Sequence, residues 1–167
     1  MINPGEQKPH WSAPCSARNL EMKLAERLPE DYVKQKLEEL KDIERRNHFG
    51  QEVDYYERVA KSYEEGYTEK DFTEIPQVAI RIGDVAFVGF PYELFSEIGM
   101  RINKMSSIGS VLSLACTNGS KGYFPTESQL PLGGYEVKMF KTKNIQPFAP
   151  FADFNLITET LKNLEQL

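Results

Sequence analysis

Between Pro76 and Cys116 the apolar residues change period twice, and that change limits what the chain can fold into. Val78, Ile80 and Ile82 alternate with Gln77, Ala79 and Arg81, the period of a half-buried strand. Gly83-Asp84 supplies a tight turn, because both residues tolerate the positive φ that hairpin turns demand. Val85 to Phe90 is apolar at every position, which predicts a strand covered on both faces. Leu94, Ile98, Ile102 and Met105 then recur at helical spacing, with Glu97, Arg101 and Lys104 between them. Gly109 closes the connection, and Val111 to Cys116 is again strand-like.

Strand, helix and strand in that order make a βαβ unit. Strands 85–90 and 111–116 are then parallel, with helix 94–105 crossing between them and strand 77–82 in the same sheet. Their carboxyl ends share one edge, where ligands of open α/β sheets bind. Topology alone therefore brings Glu93 and Tyr123 together. The predicted fold class is α/β: a mixed sheet containing a βαβ unit, with an N-terminal helical hairpin and a C-terminal helix packed on it.

The flanks support this reading. Residues 1–18 carry three prolines and few apolar residues, which predicts an irregular surface arm with His10-Trp11 against the body. Residues 19–27 fit either a short strand or the lead into a helix. Pro29 opens a helix whose first turn holds Glu30 and Asp31, favourable at the positive end of its dipole. Val33, Leu37, Leu40 and Ile43 make its apolar stripe, and His48-Phe49-Gly50 ends it. A second helix over 51–66 carries Val53, Tyr56, Ala60 and Tyr63. A charge-rich helix pair of this kind reads as a solvated covering layer, or alternatively as a lid or interaction surface. Residues 67–75 are a polar connector, dividing an arm and covering segment (1–75) from the α/β segment (76–167) within one compact domain. After 137 the chain reads as extended to about Pro147. Phe148, Phe151, Phe154, Ile157, Leu161 and Leu164 then mark a C-terminal amphipathic helix.

The chain of 167 residues is long enough for one domain with a real core. Its net charge of −5 argues against nucleic acid or an anionic membrane as the main partner, although a local basic patch is compatible with it. No apolar run approaches the roughly 20 residues of a membrane helix. The N-terminus has no apolar core of the signal-peptide kind. The two cysteines, Cys15 and Cys116, form no framework, and Cys116 is expected as a small buried hydrophobe. His10 and His48 are the two histidines, too far apart in sequence for a local metal motif.

Three segments have the residue types for chemistry: Phe90 to Glu93, Thr117 to Thr126, and Gly133 to Glu136. A carboxylate directly after a strand, approached through a proline, is well presented at a sheet edge. Glu93 suits a metal ligand, a general base or a charge at a helix N-terminus, the last being the ordinary structural role. Tyr123 follows a glycine in a loop that can turn sharply, and its ordinary role is a hydrogen bond.

The run IRIGDVAFVGFPYELFSEIGMRI, followed by LACTNGSKGYFPT and GGYEV, resembles the neutral/alkaline non-lysosomal ceramidase family. The likeness covers about residues 76–167, and GYFPTE followed by GGYEV carries most of it. It implies a zinc-dependent amide hydrolase acting on the N-acyl bond of ceramide or a related amide. By the same resemblance Glu93 and Tyr123 match metal ligands, and Tyr135 matches the tyrosine that polarises the scissile carbonyl. Complete members of that family are often secreted or associated with the cell envelope, and the sequence leaves the location of this chain open.

The chain departs from the family pattern at several points. The family's two histidine ligands lie in an N-terminal portion with no match here, and neither His10 nor His48 sits in the corresponding motif. The family's Glu-Phe-Thr turn reads Glu93-Leu94-Phe95. The expectation is therefore the C-terminal part of a larger catalytic domain, inactive alone, with the N-terminal part of that domain as its partner and zinc weak or absent without it. The other readings are a non-catalytic binding module on the same scaffold and, more remotely, a cysteine hydrolase using Cys116 and His48.

Overall fold

In a computed structural model describing residues 13–42 and 50–167, the elements follow in the order β1 (Cys15–Lys23), α1 (Glu30–Leu40), α2 (Gly50–Glu64), β2 (Phe72–Ile82), β3 (Val85–Gly89), β4 (Glu93–Leu94), α3 (Ser96–Met105), β5 (Ser110–Leu114), β6 (Tyr123–Phe124), α4 (Tyr135–Lys141) and α5 (Ala152–Leu164). A 3-10 helix occupies Glu127–Leu132. The fold is mixed α/β. Four strands form one sheet in the order β1-β2-β3-β5, and β4 and β6 form a separate two-stranded ladder. β2 and β3 are an antiparallel hairpin turning at Gly83, whose φ of 62° favours glycine. β3 and β5 are parallel, as the change of period predicts.

β1 was not expected in full. It pairs antiparallel with β2 from Cys15↔Ile80 to Lys23↔Phe72, so residues 15–18 are strand rather than arm, and β2 begins within the connector 67–75. The expectations for His10-Trp11, Ile43 and His48-Phe49 fall on residues outside those described.

The core lies on one face of the sheet. Leu20, Met22, Ile75, Ala79, Ala86, Val88 and Val111 point to it, and Ile98 and Ile102 of α3 with Leu156, Ile157 and Leu164 of α5 close over them. Inside it Gln77 Nε2 donates to Thr160 Oγ1 at 2.9 Å, Asn163 Nδ2 donates to Gln77 Oε1 at 2.9 Å, and Ser16 Oγ donates to Asn163 Oδ1 at 2.6 Å. These bonds satisfy buried polar groups that would otherwise destabilise the packing. They also set how α5 sits. Its buried face runs through Asp153, Leu156, Thr160 and Asn163, while Phe151 and Phe154 of the expected aromatic stripe are 63% and 58% exposed.

The opposite face corrects the sequence reading. Val78, Ile80 and Ile82 lie there, in register with Phe87 and Val85 of β3 and, through Phe87, with Leu112 of β5. Ile82 is 62% exposed and Leu112 45% exposed, and no described element packs over them. β3 is accordingly buried on one face, with Phe87 half-buried rather than enclosed. Cys116 is also exposed. β5 ends at Leu114, and Cys116 takes a φ of 53° to turn the chain back, its N–H donating to Tyr92 O at 3.2 Å.

α1 and α2 form the expected helical hairpin around a second, smaller core of Val33, Tyr55 and Val59. The Arg27 guanidinium lies 3.6 Å over the Tyr63 ring and donates to Ser62 Oγ at 2.7 Å, tying the hairpin to the strand before it. The stretch after residue 137 is not extended at first, since α4 runs to Lys141.

Candidate functional site

The two-stranded ladder β4-β6 is what brings the candidate residues together. β4 leaves the carboxyl end of β3 through Pro91, and β6 follows the loop that leaves β5. The two pair in parallel, Glu93↔Tyr123 and Leu94↔Phe124, with Glu93 N–H donating to Gly122 O at 2.9 Å and Phe95 N–H to Phe124 O at 3.0 Å. Register partners in a strand pair share a face. Glu93 and Tyr123 accordingly point into one cleft of about 520 Å³, together with Ser96, Thr126, Gln129 and Glu136. Leu94 and Phe124 turn the other way, into the body. Phe124 is fully buried there, with ring centroids of Tyr92, Phe140 and Phe148 at 5.2, 5.1 and 5.4 Å.

Close backbone approach makes the loop possible. A Cβ on Gly89 would stand 2.6 Å from Thr117 Cγ2, so only glycine lets the returning loop cross the strand end without displacement. Lys121 N–H then donates to Pro91 O at 2.6 Å, and Gly122, with φ of 88°, turns the chain into β6. Gly133 and Gly134, with φ of 71° and 99°, likewise turn the chain into α4, which places Glu136 in the lining of the cleft and Tyr135 beside Tyr123. The Tyr135 ring stands edge-on to that of Tyr123, with centroids 5.9 Å apart.

Of the three residues singled out in the sequence, Tyr123 stands beside both of the others, Glu93 as its register partner and Tyr135 by ring contact. Glu136, Thr126 and Gln129 were not singled out, though Glu136 adjoins Tyr135 in GGYEV and its position there was the available signal. The electrostatics are those of an acidic cleft. The Glu93 carboxylate pushes the Tyr123 phenol above its ordinary value of 10.0, and slight desolvation, Tyr135, Glu136 and Cys116 act in the same direction. A phenol so surrounded holds its proton tightly. A cation between it and Glu93 would reverse that preference.

The donor set suits part of a zinc site. Zinc accepts carboxylate oxygen, but its protein sites hold three or four ligands and draw on nitrogen or sulfur. Glu93 and Tyr123 supply two oxygens. Among the described residues no group of three or more His, Cys, Asp and Glu side chains could hold a metal ion. Cys116 lies 3.9 Å from Ser120 Oγ, at the surface, and its suggested partner His48 is outside the described residues.

A second cleft lies behind the same segment. It measures about 670 Å³ and is mostly apolar, with Tyr32 and Tyr55 of the helical hairpin facing Pro125, Leu130, Val137 and Phe140. The hairpin is held beside α4 by the Lys138–Glu52 ion pair at 2.8 Å. It walls a cleft as well as presenting charge to solvent.

Fold and site together define a mixed α/β protein with an acidic cleft beyond the carboxyl ends of two parallel strands. Compared with protein-family models and with curated proteins, the chain matches none. Among the described residues no helix is long and apolar enough to cross a membrane.

Proposed function

We propose that this chain is the C-terminal segment of a ceramidase-like zinc-dependent amide hydrolase, inactive until the N-terminal part of the same catalytic domain joins it. One observation carries the reading: Glu93 and Tyr123 are register partners in a parallel ladder, with the Tyr135 ring 5.9 Å from that of Tyr123. In this reading Glu93 and Tyr123 would hold the cation, whose charge would favour the phenolate form of Tyr123. Tyr135 donates a hydrogen bond to the scissile carbonyl oxygen as negative charge develops there. Zinc, when bound, supplies Lewis acidity and lowers the pKa of water toward about 7. The apolar cleft behind residues 125–137 suits the chain of an N-acyl sphingosine or a related amide.

The partner assignment has its own support. The uncovered sheet face of Val78, Ile80, Ile82, Phe87 and Leu112 is a contiguous apolar surface, and such a surface normally meets another layer of protein. The incomplete ligand set calls for further ligands from outside the described residues. The same open face favours the second reading, a non-catalytic interaction module on this scaffold.

Zinc titration of the purified chain, alone and with the N-terminal region added, separates the two. The hydrolase reading expects weak binding alone and stoichiometric binding in the joined protein, lost in Glu93→Gln and reduced in Tyr123→Phe. Tight binding that ignores Glu93→Gln would remove the metal assignment. Assembly without zinc binding would favour the interaction module.

A further inference from the structure

A third cleft, of about 680 Å³, lies on the side of the β4-β6 ladder away from the acidic site. Its charge is opposite to that of the chain. Arg58, Lys61, Lys70, Lys121 and Lys143 line it against Glu65 and Glu74, so it carries three net positive charges in a protein whose net charge is −5. Lys61 is paired with Glu65 at 3.2 Å, and Glu74 accepts from Asn19 Nδ2 at 2.8 Å. Lys70, Lys121 and Lys143 have no ion pair among the described residues. Three ammonium groups without an ion-pair partner, in a cleft whose cations outnumber its carboxylates five to two, repel one another, and an anion placed among them relieves that repulsion.

The wall holding these lysines is built rather than loose. Arg58 donates to Thr142 O at 2.7 Å and to Lys143 O at 3.2 Å, which fixes the backbone of Lys143 beside α2. Gln146, buried, accepts from Lys70 N–H at 2.8 Å and from the Tyr67 hydroxyl at 3.1 Å, and donates to Lys70 O at 3.0 Å. Lys121 is held by its N–H bond to Pro91 O. The floor between them is apolar: Leu24, Tyr92 and Phe148. Cations around an apolar floor match a ligand with an anionic head and an apolar body.

We propose that this cleft binds an organic oxyanion, a phosphate or carboxylate joined to an apolar ring or short chain. The proposal is independent of the zinc site, since none of these residues lines the acidic cleft.

Calorimetric titration of the purified chain with phenyl phosphate tests it. Inorganic phosphate serves as the head without the body, and benzyl alcohol as the body without a charge. Phenyl phosphate is expected to bind more tightly than either, and to weaken as salt is raised. The triple variant Lys70→Gln, Lys121→Gln, Lys143→Gln should weaken it by about tenfold or more, and the corresponding three arginine replacements should restore it. Lys104→Gln, at the end of α3 and outside the cleft, should leave it unchanged. Absence of phenyl phosphate binding at millimolar concentration would overturn the proposal. So would equal binding by the triple glutamine variant, or binding of benzyl alcohol as tight as that of phenyl phosphate.

Discussion

Truncating Phe124 to alanine is the sharpest test of how the site ladder is anchored. Phe124 follows Tyr123 directly and is fully buried, while its backbone carbonyl accepts the Phe95 N–H. Its ring meets Tyr92, Phe140 and Phe148 at centroid distances of 5.1–5.4 Å, so one side chain joins β6 to the turn before β4, to α4 and to the segment before α5. A buried Phe→Ala change costs about 3–5 kcal/mol, from lost transfer energy and the cavity left behind. Leucine keeps much of the apolar volume but forfeits aromatic pairs worth about 0.5–1.5 kcal/mol each, so Phe124→Leu should cost about half as much. Phe87→Ala is the internal control. Full enclosure of Phe87, as the sequence pattern implies, predicts the same 3–5 kcal/mol or so. Its half-buried place on the open face predicts about 1–2 kcal/mol instead. Urea denaturation followed by far-ultraviolet circular dichroism reads all three. With an m-value of about 2 kcal/mol per molar, Phe124→Ala should lower the midpoint by about 2 M. A loss under about 1 kcal/mol for Phe124→Ala, or a larger loss for Phe87→Ala, would refute the packing argument.

Three further outcomes follow from the same contacts. Burial pushes the Tyr92 phenol up to about 12 from its ordinary 10.0. A raised folded value means that its contribution is intact below pH 10 and is lost as pH rises toward 12, by about 3 kcal/mol over that window; Tyr92→Phe should remove that part of the alkaline decline in urea titrations at pH 9–12. Asn163→Ala leaves Gln77 Oε1 without its donor in the core and should cost about 1–3 kcal/mol in the same assay, whereas no loss would mean water replaces the amide. Ile82→Lys and Leu112→Lys, on the open face, should each change stability by no more than about 0.5 kcal/mol; strong destabilisation by either would mean that face is covered.

The β-hairpin, the parallel pair β3 and β5 and the helix between them were legible in the residues, because each rests on local periodicity and one chirality-bound connection. That topology also put Glu93 and Tyr123 at a common edge, and the resemblance added Tyr135. The register that makes Glu93 and Tyr123 neighbours was not legible. β4 and β6 are two residues each, too short for any periodic signal, and they exist through backbone bonds to Gly122 and Phe124. β1 hid within a proline-bearing arm because the residues alternating with Leu20 and Met22 before them, Ser16 and Arg18, are polar, and Ser16 finds its partner Asn163 far along the chain.

Periodicity determined that β2 has an apolar face of Val78, Ile80 and Ile82, but not which way that face points. The tertiary structure turned it outward, because Gln77, polar in isolation, is satisfied inside by Thr160 and Asn163 of α5. The same bonds rotate α5 so that Phe151 and Phe154 face solvent. A one-dimensional pattern records which residues share a face of an element. Whether that face is buried depends on partners contributed from elsewhere in the chain, and hydrogen bonds formed across more than eighty residues decided it here.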